Sequence, residues 1–80
     1  MMSEKLYQII SNVMKMDISL ITDELGPETI ENWTSFNGYV LLSELESGFD
    51  VKFTINEAMD VRNIADIKRH LRNKGIDVDE

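Results

Sequence analysis

Few residues in this chain have the type and spacing to do chemistry. The 80 residues include one histidine, His70, and no cysteine. A serine nucleophile needs a base within hydrogen-bond reach, and no spacing here brings His70 to a serine. A zinc site needs several nitrogen or sulfur ligands, which the composition lacks. Asp17, Asp23 and Glu24 do not have the ligand spacing or central glycine of a calcium-binding loop. There is no glycine-rich phosphate loop. The run Lys68-Arg69-His70-Leu71-Arg72-Asn73-Lys74 could hold an anion, but it reads more simply as a solvated face that complements a helix dipole. His70 reads as a solvated or partly packed side chain. Neither a catalytic residue nor a metal ligand is expected, and the chain reads as a non-enzyme.

Ser35 remains. It follows a long polar connection and opens the most apolar helix of the chain. By local rules a serine there is the N-cap. Its functional reading is a site of covalent modification, because free N–H groups and the dipole at a helix N-terminus favour an attached phosphate.

Four elements would position it. The first helix is expected over 3–16, with Leu6, Ile9, Ile10, Val13 and Met14 on one stripe. Ser3 is its expected cap and Lys15 suits its C-terminal pole. Residues 17–34 form a long connection, broken by Asp17, Ser19, Thr22, Asp23, Gly26 and Pro27. Several of Ile18, Leu20, Ile21, Leu25 and Ile30 should anchor it, and a short helical turn fits near Asp17–Asp23. Asn32-Trp33-Thr34 matches a glycosylation sequon, with no secretory signal to support it.

The second helix is expected over 35–48. Leu41, Leu42, Leu45 and Phe49 face the core, and Gly38 among them suggests a close helix–helix approach. Phe36, Tyr39 and Val40 fall on the other side, an apolar patch suited to contact. Thr54 and Glu57 have capping-box spacing and open a short helix over 54–60, with Ile55, Ala58 and Met59 expected inward. Val51 and Phe53 read as an extended connector. The last helix is expected over 63–74, capped by Asn63, with Asp66 in its first turn and Gly75 as its stop. Residues 76–80 are expected to be a loose tail. One all-α domain over 1–80 results, a bundle of three main helices and a short one with a long first loop.

The formal net charge is −7, with 15 acids against 8 bases. That argues against nucleic acid and favours docking to basic surfaces. No run is apolar enough to span a membrane and no signal-like segment follows Met1, so a cytoplasmic monomer is the expectation.

The order helix, long loop, serine, apolar helix, short capped helix, final helix resembles an acyl carrier protein over nearly the whole chain. The run Thr34-Ser35-Phe36-Asn37-Gly38-Tyr39-Val40-Leu41-Leu42-Ser43-Glu44-Leu45-Glu46-Ser47-Gly48-Phe49 is similar to that family's Asp-Ser-Leu motif and the helix after it. Trp33 resembles the tryptophan of free-standing carriers that read Trp-Asp-Ser-Leu-Gly. The resemblance implies 4′-phosphopantetheine, taken from coenzyme A and attached to Ser35 by a phosphopantetheinyl transferase. It implies acyl or aminoacyl groups held as thioesters on that arm, in lipid, polyketide or other secondary-metabolite biosynthesis. Acyl-loading and acyl-transfer enzymes would be the partners, recognising Thr34, Phe36, Asn37, Tyr39, Val40, Ser43 and Glu44. Thr34 stands where the family has aspartate, Phe36 where it has leucine, and Asn37, Val40 and Ser47 where it has acidic residues. Less basic partners and more apolar contact would follow. The second reading is a carrier-like interaction module that is never modified.

Overall fold

Three apolar stripes define the core. In the computed structural model, which describes residues 2–78, they lie on α1 (Met2–Met14), α2 (Ser35–Phe49) and α4 (Ile64–Asn73). A short α3 (Ile55–Asp60) precedes α4, and a 3-10 turn spans Ile18–Leu20. The described residues are all-helical, with four helices and no strand. Leu6, Ile10 and Met14 meet Leu41, Leu45 and Phe49 from α2 and Ile64, Ile67 and Leu71 from α4, all buried. Each such side chain contributes roughly 1.5–3 kcal/mol. No described helix is long and apolar enough to cross a membrane.

Helix ends differ from expectation where a residue with a side chain adopts a glycine-like backbone. Lys15 is left-handed, with φ 55°, so α1 stops at Met14 rather than Met16. The Met16 N–H closes that end by donating to the Ser11 carbonyl at 3.2 Å, a pattern that satisfies orphan carbonyls. Lys15 is therefore outside the last turn. Asp50 (φ 55°) ends α2 in the same way, one residue beyond the expected stop. Gly75 (φ 88°) ends α4, as its position predicts. Ser3 lies inside α1 and does not cap it.

The long loop lies against the bundle through Ile21 and Ile30, which are buried, and Leu25, which is half-buried. Ile18 and Leu20 stay exposed. Asp17 caps the 3-10 turn: its carboxylate accepts from the Ser19 N–H and hydroxyl, both at 2.9 Å. The carbonyls of Leu25 and Asp23 accept the N–H groups of Ile64 and Ala65 at 2.9 and 3.0 Å. The loop thus satisfies donors that the start of α4 would otherwise leave unpaired. The tail is not loose up to residue 78, since Ile76 packs on the core and Val78 is fully buried. The expected looseness of Asp79 and Glu80 falls outside the described residues.

The basic run of α4 is a solvated face only in part: Arg69 and Arg72 are exposed, but Lys68 and His70 are buried. Lys68 is buried, bonded to the Tyr7 hydroxyl and paired with Asp23 at 2.7 Å. Burial opposes its charge, but the hydrogen bonds it donates to Asp23 and Tyr7 outweigh that and hold its pKa above the ordinary lysine value. Arg69 pairs with Asp60 at 2.6 Å and Asp66 at 3.2 Å. Lys74 pairs with Glu57 at 2.7 Å. His70 is buried rather than solvated: Nε2 sits 2.9 Å from an Asp60 oxygen and Nδ1 sits 3.8 Å from Glu57.

Those pairs fix the rotation of α3. The capping box forms, with the Glu57 N–H donating to Thr54 Oγ1 at 3.1 Å and the Thr54 N–H to Glu57 Oε1 at 2.8 Å. Glu57 and Asp60 then face the cations of α4. The side carrying Ile55 and Met59 therefore turns outward, against expectation, and these residues are 80% and 75% exposed.

Candidate functional site

Ser35 is the first residue of α2 and is exposed. It is not the cap. That role belongs to Thr34, whose backbone is extended (φ −82°, ψ 173°) and whose Oγ1 accepts the Asn37 N–H at 3.1 Å. The Ser35 hydroxyl is engaged by no other described residue. It stands beside the first N–H groups of α2, which have no acceptor within the helix. A phosphate ester at that oxygen would meet a favourable dipole.

A chain of contacts fixes the position of this start. The Asn37 amide donates to the Asn32 carbonyl at 2.7 Å. The Asn32 amide in turn donates to the Met14 carbonyl at 2.8 Å, satisfying the end of α1. Trp33, next in sequence to Asn32, is buried. Its indole lies against Gly38, so that glycine makes room for an aromatic ring and not, as expected, for a neighbouring helix. The close helix–helix approach is at Gly48, where a Cβ would come within 2.9 Å of the Ile9 side chain on α1.

Thr34 and Ser35 line a groove of about 610 Å³ between α2 and α3. Its apolar lining includes Trp33, Leu41, Leu42, Phe53, Ala58 and Val61, with Tyr39, Ile55 and Met59 at the exposed rim. Glu46 is its half-buried carboxylate, and it accepts the Phe53 N–H at 2.8 Å.

The residues expected to meet partners do not all point outward. Thr34, Phe36, Tyr39, Ser43 and Glu44 are exposed, and Phe36 and Tyr39 are each 74% accessible. Asn37 and Val40 are half-buried, and Asn37 is committed to Asn32. Sequence reasoning missed Ile55, Met59 and Asn32. The signal for the first two was the basic run on α4, whose pairing demand sets which side of α3 faces in. Both ring nitrogens of His70 face carboxylates, Nε2 toward Asp60 and Nδ1 toward Glu57. No cluster of His, Cys, Asp or Glu suited to a metal occurs among the described residues.

No family model matches the chain, and no curated protein does. Among solved structures, one from Mycobacterium tuberculosis described as "a putative acyl carrier protein" superposes with a TM-score of 0.82. It is 20% identical, and the match covers 92% of this chain and 99% of that one. The likeness spans nearly the whole of both chains and establishes the acyl-carrier-protein fold here.

Proposed function

We propose that this chain is a carrier that holds acyl or aminoacyl groups as thioesters on a phosphopantetheine arm attached to Ser35. The observation that carries the reading is the uncommitted, exposed Ser35 hydroxyl at the start of α2, beside an apolar groove. The arm would supply the thiol that a cysteine-free chain lacks. The protein's own part is presentation. Thr34 caps the helix, Asn37 and Asn32 tie it to α1, and Trp33 fills the space against Gly38. A transferase and the acyl-loading and acyl-transfer enzymes would meet the exposed side of α2.

Incubation with coenzyme A and a broad-specificity phosphopantetheinyl transferase, followed by intact-mass spectrometry, tests this. One phosphopantetheine should be added, and Ser35→Ala should abolish the addition while leaving the fold intact. Unchanged mass with several transferases would sink the reading.

One observation favours the unmodified interaction module. Thr34 is neutral where the resembled motif is acidic, and its side chain is already engaged as a cap. That reading predicts equal partner capture by wild type and Ser35→Ala.

A further inference from the structure

Of its six residues α3 buries none. Ile55 and Met59 point to solvent, while Glu57 is bound to Lys74 at 2.7 Å and Asp60 to Arg69 at 2.6 Å and His70 at 2.9 Å. Folding alone selects the reverse, with the apolar side inward and the acids in water. An exposed apolar group of this kind marks a contact surface.

Position says what covers it. Ile55, Met59 and Tyr39 line the same groove as Ser35, and Phe36 follows Ser35 directly. An enzyme that brings a phosphate to Ser35 Oγ must lay its surface over this rim. Charge says what that surface is. The first nine residues of α2, Ser35 to Ser43, include no ionisable acid or base except the Tyr39 phenol. The two carboxylates of α3 are matched by Arg69 of α4 and by Lys74 at its C-terminal cap. The rim side chains Phe36, Tyr39, Ile55 and Met59 are therefore uncharged on a chain of net charge −7, and the carboxylate of the groove, Glu46, is half-buried and accepts the Phe53 N–H.

We infer that Ile55 and Met59, with Phe36 and Tyr39, form an apolar docking face for the enzyme that acts at Ser35, and that this partner presents an uncharged apolar surface there. The inference rests on the carrier reading and adds the chemistry of recognition.

The test is steady-state modification of the 80-residue chain by a broad-specificity phosphopantetheinyl transferase with coenzyme A, read by intact mass. The double variant Ile55→Ser/Met59→Ser should raise KM for the carrier about tenfold with kcat unchanged. Wild-type KM should change less than about twofold as salt rises and the Debye length shrinks. Leu20→Ser, which removes an exposed apolar residue outside the groove lining, should leave KM unchanged. Far-UV circular dichroism checks the double variant. If α3 is lost in it, Phe36→Ser on α2 must give the same rise in KM. Modification that is indifferent to these variants, or a KM that climbs steeply with salt, overturns the docking inference and leaves the carrier reading standing. No addition to wild type overturns both.

Discussion

The indole of Trp33 occupies the space that a side chain on Gly38 would need: a Cβ there would sit 3.1 Å from the indole nitrogen. This relationship sets the first turns of α2, and with them the position of Ser35. Replacing a helix-interior glycine by alanine ordinarily stabilises by about 1 kcal/mol. In Gly38→Ala the added methyl must displace the buried ring, so that gain should be lost. The melting temperature should not rise. Fluorescence should shift to the red, and Trp33 is the chain's single tryptophan. A clear rise in melting temperature with unchanged emission would show that the ring has room to yield.

Gly26 is buried where the loop crosses the start of α4, and a Cβ there would run into the Arg62 carbonyl. Neither backbone can retreat easily, because the Leu25 and Asp23 carbonyls hold the Ile64 and Ala65 N–H groups. Gly26→Ala should therefore cost about 2–4 kcal/mol in urea unfolding. A loss under about 0.5 kcal/mol would mean that the loop slides at little cost.

The sequence showed the stripes but not the polar pairings between elements. Leu41, Leu45 and Phe49 repeat on a helical period, so α2 and its core side could be read directly. Thr54/Glu57 and Asn63/Asp66 are local cap pairs and were equally plain. Ile55 and Met59 were misread because burial is decided between elements. Six residues cannot place both their apolar and their paired acidic side chains inward, and the cations of α4 took the acids. Lys15 and Asp50 carry no local sign of a left-handed backbone, unlike Gly75. Val78 stands between Asp77 and Asp79, and only the closed bundle shows that it is fully buried. At the site, Ser35 was legible from its place before an apolar helix. Its release from capping was not, because Thr34 and Ser35 are both good caps and only the backbone geometry separates them.

Glu57 should make stability depend on acid pH. Its carboxyl is held to about 2 against an ordinary value of 4.5, chiefly by the Lys74 hydrogen bond and then by the Thr54 N–H. A folded-state pKa below the unfolded one favours folding at pH above the unfolded value. That contribution is full above about 4.5 and fades as pH falls toward about 2. Asp60, lowered by Arg69 and then His70, acts in the same direction. Glu57→Gln should therefore melt below wild type at neutral pH, with the gap narrowing as pH drops through this window. A constant gap in thermal melts across it would assign the loss to the cap geometry and not to the charge.

Salt acts on two opposed effects, and the pairing on α4 decides the sign. Lys68, Arg69 and Lys74 are in contact pairs of 2.6–2.7 Å with Asp23, Asp60 and Glu57. Two of these cations have side chains only 11% and 19% exposed, which places their pairs where mobile ions screen poorly. The repulsion behind the net charge of −7 acts over longer distances, through exposed acids such as Glu28, Glu31 and Glu44. Added sodium chloride screens that repulsion first. The melting temperature of wild type should rise up to about 0.2–0.3 M salt, where the Debye length falls below about 8 Å. Lys74→Gln removes an engaged cation and makes the chain more acidic by one unit. It should lower the melting temperature by several degrees at low salt and steepen the rise. A wild-type melting temperature that falls with salt would mean that the α4 pairs are screened as readily as the surface, and that they outweigh the repulsion.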